Sequence, residues 1–412
     1  MRKIRYILLA AALLAISCKQ EQPTIDFSKL PVHYGYMQFS TDVASRSHLA
    51  ESMRGKDFGV IGFKYSETSN WGTSKSTATP GDWFYNVKVG CNSDGICSYG
   101  EPKQWEDNNY AFFAYHPYNG AGTGISLSGT DKVNTPVLTY TYDWKPNSEG
   151  IIDVYDSATP MFDLMTAEAI DANGKGSGRV DLEFKHRLFA FEVLVNNYNE
   201  NVWEYEVDEN GDFILDKDGN KIIKTEIGED GKPHNIIAEG GNARQKISNL
   251  TLKLEGLKYN QMVIPMSMQD GEDAPKYEGT ISEAPVFQIS TRQIEIPAFN
   301  ETFEKTFNGE TEEVGAGVAT SISKYGTTNG GYLFLIPQEG TDTGITGTLE
   351  WIELDYFREK GGEVANTFES TIDFEPGILY QIHINFVGNG ITIALIAAGN
   401  WDSDGNVTHT FE

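Results

Sequence analysis

The sequence predicts an all-β protein built of antiparallel sandwiches, and three observations lead there. Short runs rich in Val, Ile, Phe, Tyr and Thr alternate apolar and polar residues with a period of two, as half-buried strands do. Many of the 42 glycines stand in Asn-Gly, Asp-Gly and Gly-Gly steps between those runs, where antiparallel strands reverse. The length of 412 residues, roughly 395 without a leader, suits about two or three domains.

The leader is MRKIRYILLAAALLAISC. Arg2, Lys3 and Arg5 form a basic start, and Tyr6 to Ile16 is an apolar run too short to span a bilayer comfortably. Ala15, Ile16 and Ser17 then lead into Cys18, the pattern of a lipoprotein signal peptide over 1–17, with Cys18 the residue expected to carry acyl chains. Residues 18–31 form a tether, polar in KQEQPTI. The rest of the chain is expected outside the cytoplasm, attached to membrane by lipid alone.

The formal charge is −27. Removing residues 1–17 takes away three positive charges and no negative ones, which gives −30. Such a surface repels nucleic acid and anionic headgroups, so no nucleic-acid partner is expected.

A first domain is expected over 32–175. It begins with HYGYMQFSTDV (33–43), in which Met37, Phe39 and Val43 share one face, followed by a lone arginine, Arg46, among small polar residues. FGVIGF (58–63) is a strand. Cys91 and Cys97 bracket NSDGI with the Asp94-Gly95 turn between them, so a disulfide across a hairpin tip is expected. Closing that loop contributes about 2 kcal/mol by loop entropy. In NYAFFAYHPY (109–118), Tyr110, Phe112 and Ala114 alternate as core.

DANGKGSGR (171–179) is glycine-rich and almost without apolar residues, and a domain boundary is placed there, with a second domain over 176–412. Next comes VDLEFKHRLFAFEVLV (180–195). Val180, Leu182, Phe184 and Leu188 lie in one phase and Phe189, Phe191, Val193 and Val195 in the other, which a bulge near 188–189 or burial on both faces would explain. Residues 200–245 read as an insertion of turns and a short strand. KISNLTLKLEGL, GGYLFLIPQ, LYQIHINF and ITIALIA are strands, the last two joined through Gly388-Asn389-Gly390 as a hairpin.

Chemistry is sparse. Asp208, Asn210, Asp212, Asp216, Asp218 and Asn220 alternate as calcium ligands do, but the sixth-position glycine and twelfth-position glutamate of a calcium loop are missing, so solvated turns are the expectation. The seven histidines show no metal-ligand pairing, and His186, in phase with Phe184 and Leu188, reads as a buried hydrogen-bonded histidine. There is no nucleophile elbow, phosphate loop or dinucleotide fingerprint. Neither an enzyme nor a cofactor is expected.

The order of segments resembles the fimbrillin family, the subunits of type V pili of Bacteroidales. The likeness runs from the lipoprotein signal through ASR (44–46), FGVIGF, AFFAYHPY, DLMTAEA (163–169), FKHRLFAFEV (184–193) and YLFLIPQ to FEPGILYQIHINFVGNGITIALIAAGNW (374–401). It implies two tandem transthyretin-like β-sandwiches, exported as an outer-membrane lipoprotein anchored at Cys18. It further implies that an arginine-specific protease cuts between Arg46 and Ser47, with Arg54 as the other candidate. Cleavage would remove the strand bearing Met37, Phe39 and Val43. A donor strand from another subunit would then fill the gap, and here Ile391, Ile393 and Leu395 match that donor. The expected partners are other fimbrial subunits, the protease, and a host or bacterial surface ligand. The competing expectations are an unprocessed surface lipoprotein, either pilus anchor or glycan-binding protein, and a secreted hydrolase.

Overall fold

The computed structural model of the chain describes residues 36–43, 53–78, 80, 83–118, 124–128, 136–153, 162–175, 178–229, 231–266, 275–290, 294–307, 310–315, 320–321, 332–337, 339–341, 344–346, 351–358, 362–369, 374–400 and 409–410. The protein is all-β, and among the described residues it has one helical turn, α1 (Trp71–Ser74), capped by Asn70 Oδ1, which accepts from the Thr73 N–H at 3.0 Å.

The strands up to the midpoint are β1 (Gln38–Val43), β2 (Asp57–Ser66), β3 (Val87–Cys91), β4 (Cys97–Tyr99), β5 (Asn108–His116), β6 (Ile125–Ser128), β7 (Val137–Thr141), β8 (Ile151–Asp153), β9 (Met165–Ala172), β10 (Arg179–His186) and β11 (Phe189–Asn197). After them come β12 (Thr225–Ile227), β13 (Pro233–Asn235), β14 (Gln245–Glu255), β15 (Gln261–Pro265), β16 (Lys276–Glu278), β17 (Val286–Ser290), β18 (Ile294–Ile296), β19 (Thr302–Phe307) and β20 (Glu310–Gly315). The last are β21 (Thr320–Ser321), β22 (Leu333–Leu335), β23 (Glu339–Thr341), β24 (Gly344–Thr346), β25 (Trp351–Arg358), β26 (Gly362–Glu369), β27 (Ile378–Val387), β28 (Gly390–Asn400) and β29 (His409–Thr410).

Four sheets carry the architecture. The first runs β1-β10-β9-β5-β2-β3-β4 and the second β21-β11-β27-β28-β29, with β22 also on β11. The third runs β26-β25-β14-β17-β8, with β18 on β14, and the fourth β16-β15-β7-β6. The pairs β12-β13, β19-β20 and β23-β24 stand as hairpins. Most neighbours are antiparallel, but β1 with β10, β11 with β27, and β8 with β17 are parallel.

In its middle, at β2 and β5, the first sheet is buried on both faces. Tyr110, Phe112 and Ala114 of β5 point into a core with Phe58, Val60, Phe84, Val180, Leu182 and Phe184. Ala111, Phe113 and Tyr115 point the other way, into a core shared with the remaining sheets. The run YAFFAY is therefore apolar throughout because β2 and β9 flank it and both its faces are covered.

The phase change at 188–189 has a different origin from a bulge. Val180, Leu182 and Phe184 serve the first core, while Phe189, Phe191, Val193 and Val195 serve the second. Between them Arg187 and Leu188 carry the chain from the first sheet to the second. Burial on both faces also applies, since every residue of β11 is buried.

The strands on either side of 175/176, β9 and β10, are neighbours in one sheet and pair antiparallel at Met165 with His186 and Thr166 with Lys185. Sheets three and four each join strands from before and after that point, as in β7 with β15 and β8 with β17.

Candidate assembly site

The site is built around β1. Its backbone pairs in parallel with β10 over six residues, from Gln38 opposite Arg179 to Val43 opposite Phe184. Alternation sends Met37 and Phe39 inward, 1% and 5% exposed, and leaves Gln38 and Ser40 half-buried, with the Ser40 hydroxyl donating to the Asp181 carboxylate. The Phe39 ring meets Phe84, Tyr99 and Phe112 at centroid distances of 5.6, 5.5 and 5.5 Å, two of them edge-on.

The strand also touches the opposite end of the same sheet. The Met37 N–H donates to the Lys103 carbonyl at 2.7 Å, and the Tyr99 hydroxyl donates to the Met37 carbonyl at 2.8 Å. Burial pushes the Tyr99 phenol up from its ordinary value, against a smaller opposing effect of the Lys103 N–H that it accepts, so it stays protonated as a donor. Thr41 Oγ1 lies 4.0 and 3.9 Å from the sulfurs of Cys91 and Cys97. The sheet thus curls until its two ends, β10 and the β3–β4 hairpin, meet across β1.

That hairpin is held locally. Cys91 and Cys97 face each other across it and are joined by a disulfide. Asn92 Oδ1 accepts from the Asp94 and Ile96 N–H groups, both at 2.9 Å, and Gly95 takes the left-handed conformation, φ 83°, that the tip requires.

The other sequence-predicted residues are dispersed. Cys18, Arg46 and Ser47 lie outside the described residues, as does the side chain of Val43. Arg54 is exposed on the turn where the Lys56 N–H bonds the Met53 carbonyl. Ile391, Ile393 and Leu395 lie in β28, which pairs with β27 along its length and with β29 at Ile396 and Ala397. Leu395 is buried and the two isoleucines partly so. The structure therefore sets these three in the second sheet, where within one chain they complete their own fold.

The acidic turns cap themselves. Asp208 Oδ1 accepts from the Asp212 and Asn210 N–H groups, and Asp216 Oδ1 from those of Asn220 and Asp218, and these bonds hold both carboxyls below their usual range. Among the described residues no group of three or more His, Cys, Asp and Glu is placed to hold a metal ion. His186 is buried with Nδ1 2.5 Å from Asp163 Oδ2. Sequence reasoning missed Tyr99, Lys103 and Thr41, whose role comes from the curl of the sheet and leaves no local pattern.

The site is thus a curled sheet whose ends are bridged by one short strand, β1. Residues 54–211 match the model of the fimbrillin-like family. The match begins just after β1. Among solved structures, a fimbrial protein from Bacteroides vulgatus is similar with a TM-score of 0.50 at 17% identity, over 89% of this chain and 99% of that one. A fimbrial assembly protein from Parabacteroides distasonis aligns over 92% of this chain and 99% of that one, at 9% identity and a TM-score of 0.36. At such identity the first likeness is one of fold. No curated protein matches the chain.

Proposed function

We propose that the protein is a fimbrial subunit of the cell surface that serves adhesion, exported as a lipoprotein through Cys18 and assembled with other fimbrial subunits by strand exchange. The observation that carries this reading is β1 itself, an N-terminal strand whose Met37 and Phe39 fill a groove between the two ends of one sheet. Cleavage after Arg46 by an arginine-specific protease separates β1 from the body. The groove it leaves has an unpaired edge on β10 and an apolar floor of Phe84, Tyr99 and Phe112, and both favour an incoming strand. The C-terminal segment with Ile391, Ile393 and Leu395 supplies that strand, and to do so it has to leave β27.

The test is to treat purified residues 19–412 with an arginine-specific protease, sequence the new N-terminus and size the product. A start at Ser47 followed by a ladder of oligomers, absent from Arg46→Ala, is the expected result. A product that stays monomeric overturns strand exchange.

A second reading, an unprocessed surface lipoprotein that binds glycan, draws on a cleft of about 370 Å³ lined by Trp105, Asn108, Asn109, Asn173, Glu67 and Glu106. It predicts sugar affinity in the uncleaved chain.

A further inference from the structure

Between β11 and β14 the chain leaves the sheets and forms a finger over residues 202–241. Its segments, three at a time, close two rings of backbone hydrogen bonds. In one ring the Ile214 N–H donates to Glu206 (3.0 Å), Ile222 to Ile214 (3.0 Å) and Glu206 to Ile222 (2.9 Å). In the other, Glu204 donates to Ile236 (2.9 Å), Ile236 to Lys224 (2.8 Å) and Lys224 to Glu204 (2.8 Å). Turns with left-handed Gly211, Gly219 and Gly231 connect the segments. At the root, Glu301 accepts from Arg244 Nε at 2.8 and 3.0 Å and from Asn201 Nδ2 at 3.0 Å, and Asn201 and Asn300 exchange two further bonds.

This prism is fixed by its backbone and has no core of its own, so its apolar side chains face out. Val202, Val207, Phe213, Leu215 and Ile227 are 58%, 46%, 49%, 54% and 71% exposed. They make up much of the large apolar exposure among the described residues, gathered on one projection. Lys221 Nζ, 3.7 Å from the Phe213 ring centroid, covers part of it and leaves the rest open. Apolar exposure concentrated in this way marks a surface that a partner covers. The rigid frame means that little conformational entropy is lost when it does.

Charge selects the partner. The finger carries eleven acidic residues against four lysines, a formal −7. A second copy of the chain, itself at −27, meets it with like charge. We propose that the finger is a docking element for a basic polypeptide segment, whose apolar side chains cover Phe213 and Leu215 while its lysines or arginines face the carboxylates around them. The inference is independent of strand exchange.

The test uses the full chain from residue 19 and two synthetic twelve-residue peptides of equal charge, one alternating lysine with valine and the other lysine with serine. Binding is measured by calorimetry. The wild-type chain should bind the lysine–valine peptide at least ~10-fold more tightly, and the Phe213→Ser/Leu215→Ser double variant should lose that preference while melting at the same temperature. Both side chains are about half exposed and stand outside the cores of the sheets, so the variant keeps its fold. Equal affinity for the two peptides, or an unchanged preference in the variant, overturns the proposal and leaves only non-specific attraction to an acidic surface. Sedimentation showing wild-type dimers that the double variant lacks also overturns it, in favour of a second copy.

Discussion

Replacing Phe39 by alanine tests whether β1 holds its groove as described. The ring is 5% exposed and stands against Phe84, Tyr99 and Phe112, which come from the segment between β2 and β3, from β4 and from β5. Those rings are anchored by separate parts of the chain, so they collapse poorly into the space left. A buried Phe→Ala change costs about 3–5 kcal/mol including the cavity, and an edge strand can relax, so we expect about 3 kcal/mol. Urea unfolding at unchanged slope gives the global figure. Hydrogen exchange on the peptide covering 36–43 gives the local one, where a loss of about 3 kcal/mol lowers protection on the order of a hundredfold. A destabilisation under about 1 kcal/mol, with protection unchanged, would refute the packing of β1 and the groove with it.

Replacing Cys91 and Cys97 together by serine should lower stability by about 2 kcal/mol in a denaturant melt, and should speed exchange in β1 because Thr41 rests on that hairpin and Tyr99, within it, bonds the Met37 carbonyl. His116 is held neutral: burial pushes its imidazole down to about 4, although Nδ1–H donates to the Asp57 carbonyl at 2.8 Å and favours the charged form. The unfolded chain therefore binds the extra proton first, and stability should fall as pH drops from about 6.5 to about 4, by at most about 3 kcal/mol, with a flatter profile in His116→Gln. Arg244→Ala should loosen the root of the finger and cost about 1–3 kcal/mol, since it leaves the Glu301 carboxylate short of its main partner. Burial works against the Glu301 charge but the Arg244 bonds outweigh it, so its carboxyl lies below the usual range. The stabilisation is complete above the ordinary carboxylate pKa and lost as pH falls through the depressed one, and acid melts of the variant should lack that step.

Strands were legible wherever one face is buried, as in LYQIHINF, where Tyr380, Ile382, Ile384 and Phe386 form core and Gln381, His383 and Asn385 do not. The strand character of β1 was equally open to reading, since Met37 and Phe39 alternate into the core. The partners of β1 were not. Parallel pairing with a strand 141 residues away, as in Ser40 with Asp181, leaves no periodic trace, because register is fixed by the curl of a whole sheet. The interleaving of the two halves was hidden for the same reason. Turn chemistry alone cannot say whether DANGKGSGR ends a domain or reverses a strand. The finger offered one unused signal, Asp208 and Asp216 opening similar Asx-Gly turns eight residues apart, which is the spacing of Glu206, Ile214 and Ile222 in the first ring.

The parallel pairing of β11 with β27 has a mechanical consequence. Eight residues of each strand face each other, from Ala190 with Leu379 to Asn197 with Phe386. Tension applied between the chain before β11 and the chain after β27 pulls these strands past one another in shear, so the bonds of the ladder share the force. An antiparallel hairpin pulled at its open end peels one bond at a time. A molecule held by its two ends is in this arrangement strongest along the line of pull.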